Sequence, residues 1–166
     1  MNTLQYLAYG SNLHPRRLQH RAPSARVITT VGLMGWQLQF HKRGQDASAK
    51  CNIIQTGKTA DVVYGAIYEM LASEKAKLDK VEGLNAGYSQ AHIEIAEQGT
   101  VFFYTAEKVY IDNDLLPFDW YKEFVIAGGR FHAFPETYLA QINSVNVIAD
   151  HDEARQQQQM AILNMS

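Results

Sequence analysis

A chain of 166 residues with 46% apolar and 19% charged side chains has ample apolar surface to offset the entropy of ordering one domain, which excludes intrinsic disorder. Its formal charge of −2 leaves no basic footprint for nucleic acid or an anionic membrane, so the expected partner is a small molecule or a second copy of the chain.

The chain opens on an apolar run, Leu4 to Tyr9, too short for a helix and stopped at once by Gly10-Ser11-Asn12; it reads as a buried strand. Pro15 suits the first position of a short helix along which Arg16, Arg17 and Arg21 are spread. Residues 27–31 and 36–40 read as two strands, the second alternating with period two, and a polar loop is expected from His41 to Lys50. A short strand around Cys51 to Ile54 and a central strand over 61–70 follow, with Gly65 marking a bulge. Ser73 is placed to cap a helix running to Val81 or Glu82, and Gly83 to close it. Ala91, Ile93 and Ile95 share one face of a strand over 88–97 that turns at Gln98-Gly99 into a second strand, 101–105. Phe118, Tyr121, Phe124 and Val125 predict a helix over 117–127 ended by Gly128-Gly129, and Pro135 opens another through Ile142.

Strands first and helices late predict an α+β fold, with six or seven short strands favouring a small, mixed, partly closed β-barrel flanked by helices. Residues 1–149 read as one domain and 150–166 as a helical or frayed tail. No run approaches the ~18 apolar residues of a membrane span. Met1 to Tyr6 lacks a signal-type basic region, and the lone cysteine, Cys51, has no disulfide or zinc-ligand partner in sequence; it reads as a small buried hydrophobe in a soluble, cytoplasmic chain.

Two places could carry chemistry. The turn Tyr9-Gly10-Ser11-Asn12, between a strand end and a helix start, can aim successive backbone N–H groups into one concavity and so hold an anion; an ordinary strand-to-helix turn has the same composition. Glu82 closes a helix before a glycine. A carboxylate at that negative helix end, if desolvated by apolar neighbours, is pushed towards the protonated form and suits acid–base work near neutrality; a solvated glutamate before a glycine cap is the plainer alternative. The six histidines show no metal-ligand spacing, Ser11 lacks a nucleophile elbow, Gly128-Gly129 is no P-loop, and dinucleotide fingerprints are absent.

Tyr9-Gly10-Ser11-Asn12-Leu13 after an apolar strand, then Val63-Tyr64-Gly65, then Leu78-Asp79-x-x-Glu82-Gly83 with Tyr88 beyond, resembles the γ-glutamylcyclotransferase (AIG2-like) family over about residues 4–145. The resemblance implies a small mixed β-barrel with flanking helices and release of 5-oxoproline from γ-glutamyl amino acids or amines without a cofactor or metal. It carries Glu82 over as the acid/base. The substrate loop falls on Tyr6, Leu7, Ala8, Tyr9, Gly10 and Ser11 with Asn12 beside it, and a later pocket tyrosine on Tyr121. A homodimer is compatible with it. Asn12 departs from the shorter Y-G-S-L loop of glutathione-specific relatives and leans towards the broader amino-acid branch. A γ-glutamylamine, a γ-glutamyl-protected metabolite, and a non-catalytic binder or interaction module of the same fold are the competing readings.

Overall fold

The computed structural model describes residues 2–165. Seven strands, β1 Thr3–Ala8, β2 Arg26–Met34, β3 Trp36–Arg43, β4 Ala49–Gln55, β5 Val62–Leu71, β6 Tyr88–Ile95 and β7 Gly99–Ala106, combine with five α-helices. The helices are α1 Pro15–Arg21, α2 Lys75–Glu82, α3 Asp119–Phe131, α4 Glu136–Asn143 and α5 Glu153–Leu163. No helix among the described residues is long and apolar enough to cross a membrane.

The α+β class holds, but among the described residues no ladder closes the strands into a barrel. One sheet has the order β2-β5-β1-β7-β6 and the β3-β4 hairpin stands apart as a second. The central strand β1 pairs antiparallel with β5 from Thr3↔Leu71 to Ala8↔Ala66 and parallel with β7 at Tyr6↔Phe102. Buried on both faces from Tyr6 to Ala8, β1 reads there as the apolar run that marks a central strand.

Several local expectations are corrected by tertiary contacts. Gly65 sits in unbroken register opposite Val31; the irregularity lies on β2, between Val27 and Thr29. Gly65 is needed because a Cβ there would meet Leu7 Cδ1 at 2.7 Å and the Ala8 carbonyl at 3.0 Å. The loop expected from His41 to Lys50 is shorter: β3 runs on to Arg43 and β4 begins at Ala49. Ser73 does not cap α2. It lies inside a 3₁₀ turn, Ala72–Glu74, that precedes the helix.

Gly128 and Gly129 do not end α3; they lie within it. Both permit close approach. A Cβ on Gly128 would stand 2.5 Å from Leu13 Cβ and 2.6 Å from the His14 nitrogen, and one on Gly129 would stand 2.5 Å from Leu139 Cδ2. The helix therefore presses its glycine face onto the loop that follows β1 and onto α4. The last helix, α5, is tied back by Asp150, whose fully buried carboxylate accepts from Trp120 Nε1 at 2.9 Å and from Arg155 Nε at 2.7 Å. The Arg155 guanidinium holds that carboxyl well below the usual carboxylate range.

Candidate active site

The site begins where β1 leaves the sheet. Gly10, two residues past β1, precedes one 3₁₀ turn, Ser11–Leu13, closed by Leu13 N–H donating to the Gly10 carbonyl at 3.0 Å. Gly10 has an ordinary negative φ of −112°. Its missing side chain matters for space, since a Cβ would meet Cys51 Cβ at 2.9 Å. Among the described residues the Gly10, Ser11 and Asn12 N–H groups make no hydrogen bond, as expected for the first donors of a helical turn.

Glu82 reaches the same place from α2. It is the last residue of that helix, and Gly83 takes the left-handed conformation (φ 76°, ψ 47°) that stops it. The Asn12 side chain joins the two segments, its Nδ2 donating to Tyr6 Oη at 3.0 Å and to Glu82 Oε1 at 2.9 Å. Arg21, the last residue of α1, donates to Asn12 Oδ1 at 2.7 Å and to Glu82 Oε1 at 2.6 Å.

This is a different setting from the apolar one expected for Glu82. Only 15% of its side chain is exposed, but its neighbours are a guanidinium and an amide. Both act on Oε1. Oε2 makes no hydrogen bond among the described residues.

Tyr6, Tyr9, Gly10, Ser11, Asn12, Glu82 and Tyr121 line one cavity, closed by Cys51, Tyr88 and Tyr104. Leu7 and Ala8 do not line it; both are fully buried in the core. The cavity is small, about 20 Å³. Through Ser11, Glu82, Tyr88 and Tyr121 it opens into an outer cleft of about 380 Å³, a size suited to a small molecule.

The tyrosine hydroxyls here stay neutral. Burial raises Tyr6, Tyr9, Tyr88 and Tyr121 above the ordinary phenol value, and the Glu82 charge adds to it in each. Tyr9 donates to the Tyr104 carbonyl at 2.5 Å, whereas Tyr121 accepts from Cys51 N–H at 2.9 Å. Burial pushes the Cys51 thiol up to about 12, so it is an inert wall at neutral pH.

Sequence reading passed over Arg21, Arg17 and Lys42. Arg17 and Arg21 are one helical turn apart and flank the fully buried Leu18, so the i, i+4 spacing beside a core residue was the available signal. Lys42 had none, because its direction depends on a bulge.

Comparisons with known proteins bear on the fold. Over 96% of its length the structure superposes on 99% of a solved γ-glutamyl cyclotransferase, with a TM-score of 0.80 at 22% identity. The chain has the γ-glutamyl cyclotransferase fold. Residues 62–142 match the model of the AIG2-like family, a span that holds Glu82, Tyr88 and Tyr121. The chain is 28% identical over 145 residues to γ-glutamylcyclotransferase from Bos taurus and 27% identical over 146 residues to that from Homo sapiens. Each match covers 84% of this chain and 77% of the relative.

Proposed function

We propose that this chain releases 5-oxoproline from γ-glutamyl amino acids or amines, with Glu82 moving the proton. One observation carries the reading: Glu82 lines the cavity walled by Tyr9, Gly10 and Ser11, gripped there through Oε1 by Asn12 and Arg21, with Oε2 making no hydrogen bond among the described residues.

The substrate brings its own nucleophile. Its α-amino group attacks the γ-carbonyl carbon, a C–N bond closes the five-membered ring, and the bond to the leaving nitrogen breaks. Oriented intramolecular attack of this kind reaches effective molarities of about 10⁵ M or more. The protein's task is to hold the glutamyl chain folded back and to manage protons. Glu82 Oε2 takes a proton from the α-ammonium and returns it to the leaving amine. The two protons that the ring nitrogen loses equal the two that the amine gains in departing as an ammonium, so water is not consumed. The free N–H groups of Gly10 and Ser11 and the Tyr121 hydroxyl supply neutral donors for the α-carboxylate or the developing oxyanion. Tyr6 and Asn12 set the carboxylate's position, while Leu7 and Ala8 contribute main chain and core packing.

Incubating the purified protein with a panel of γ-glutamyl amino acids, γ-glutamylamines and glutathione tests this. The expected result is 5-oxoproline, detected by mass spectrometry, from amino-acid conjugates ahead of glutathione. Binding of 5-oxoproline with no turnover of any member would replace the enzyme by a binder.

A further inference from the structure

The outer cleft carries more positive charge than its own carboxylates balance. Three of its cations are matched: Arg21 with Glu82 at 2.6 Å, Lys50 with Asp46 at 2.7 Å, and Arg155 with Asp150 at 2.5 Å. Two are not. Arg17 has no carboxylate partner among the described residues: it donates to the neutral Ser11 Oγ at 3.1 Å and to the Gln159 side-chain carbonyl, and its guanidinium lies over the Phe124 ring, 4.4 Å from its centre. Lys42 is 4% exposed, yet among the described residues its ammonium has no ion pair and no hydrogen bond. It rests on aromatic rings instead, with Nζ 4.3 Å from the centre of Tyr88 and 5.9 Å from that of Tyr110.

That placement is built into the fold. Along β3, Phe40 faces Cys51 of β4 and Lys42 faces Lys50, so His41 is an extra residue opposite none. The bulge reverses the alternation and turns Lys42 to the face of Lys50, towards the cleft. His41 is pinned through both ring nitrogens, Nδ1 to Asn113 Oδ1 and Nε2 to Asn52 Nδ2, each at 3.0 Å. Asn52 is itself fixed to β7 by the Ala106 N–H at 2.8 Å. Gly87 leaves the room, since a Cβ there would lie 2.7 Å from Lys42 Nζ. Burial lowers the Lys42 pKa from the ordinary lysine value, and the more distant charges of Glu82, Asp46 and Glu107 offset only part of that.

A buried cation with no ion pair or hydrogen bond among the described residues, turned into a ligand-sized cleft beside Glu82, is arranged for an anion that arrives with the ligand. A γ-glutamyl amino acid carries two carboxylates, one on the glutamyl part and one on the leaving amine, and the cleft has two unmatched cations. We infer that Lys42 is the subsite for the carboxylate of the leaving amino acid, and that this chain selects γ-glutamyl conjugates with an anionic leaving group over uncharged alkylamines. The inference rests on the cyclotransferase reading and adds to it a residue and a substrate preference.

The matched substrates are γ-glutamylalanine and γ-glutamylethylamide, which differ only by the leaving-group carboxylate. The wild-type protein should favour the first by roughly tenfold or more in kcat/KM, the range of a hydrogen bond to a charged group. Lys42→Met should lower kcat/KM on the alanine conjugate by roughly 10- to 100-fold and leave the ethylamide within about twofold, which also shows that the variant is folded. Equal effects on both substrates, or none, would overturn the assignment while leaving the cyclotransferase reading intact. Should Lys42→Met not fold, product inhibition of the wild-type protein decides: alanine should inhibit more strongly than ethylamine, and parity refutes the subsite. If neither conjugate is turned over, the cyclotransferase reading fails on its own. Calorimetry with the same pair then judges the subsite, which stands if the alanine conjugate binds tighter only when Lys42 is present and falls otherwise.

Discussion

Glu82→Gln is expected to lower kcat for 5-oxoproline release by about 10²- to 10⁴-fold, the range that a positioned acid–base group supplies. The substitution preserves shape. Glutamine keeps an oxygen for Asn12 Nδ2 and the Arg21 guanidinium, both of which act on Oε1, so the joint between α1, α2 and the loop after β1 survives. What changes is the second oxygen, which becomes an amide that can neither take the ammonium proton nor return it. The loss should therefore fall on kcat more than on KM, with the thermal midpoint close to that of the wild type. A folded Glu82→Gln protein working near the wild-type rate would remove Glu82 from the chemistry.

Gly128→Ala is expected to cost more stability than Gly129→Ala, although the two are neighbours in one helix. The methyl at 128 would run into backbone, the Leu13 carbonyl carbon and the His14 nitrogen each at 2.6 Å, and backbone cannot turn aside. At 129 the obstacle is the end of the Leu139 side chain, which can rotate. Overpacking at 128 should cost about 1–3 kcal/mol, or about 2–4 °C in Tm for each kcal/mol in a chain of this size. Because the displaced segment adjoins Asn12, 5-oxoproline release should fall as well. Thermal denaturation of both variants checks the order; a larger drop for Gly129→Ala would contradict the account of why α3 carries glycines.

The same pair shows where sequence reading stopped. Local propensity treats Gly-Gly as a helix end, and only the packing of α3 on the Leu13–His14 segment explains why the helix continues. Elements set by short-range grammar were readable: β1 stopping short of Gly10, Pro15 opening α1, Gly83 stopping α2 directly after Glu82, and the β6–β7 hairpin. Closure of the sheet was not, because strand order depends on pairings between distant segments, such as β1 between β5 and β7. Of the candidate residues, Glu82 and the loop after β1 were marked by helix-end and turn chemistry together with a family resemblance. Their meeting through Asn12 and Arg21 is a tertiary fact. Arg21 looked like one arginine among several on a polar helix, and Lys42 looked like part of a solvated loop. Its inward turn follows from a register shift against β4 that no single strand reveals.

The most direct test of the central claim follows the oxygen atoms. Incubation with γ-glutamylalanine in ¹⁸O-labelled water should give 5-oxoproline and alanine in equal amounts, with no label in the 5-oxoproline at the moment of release, because the α-amine and not water attacks the γ-carbonyl. Formation of glutamate carrying one ¹⁸O in its side-chain carboxylate would show hydrolysis instead, and would contradict the cyclising role assigned to Glu82 and its loop.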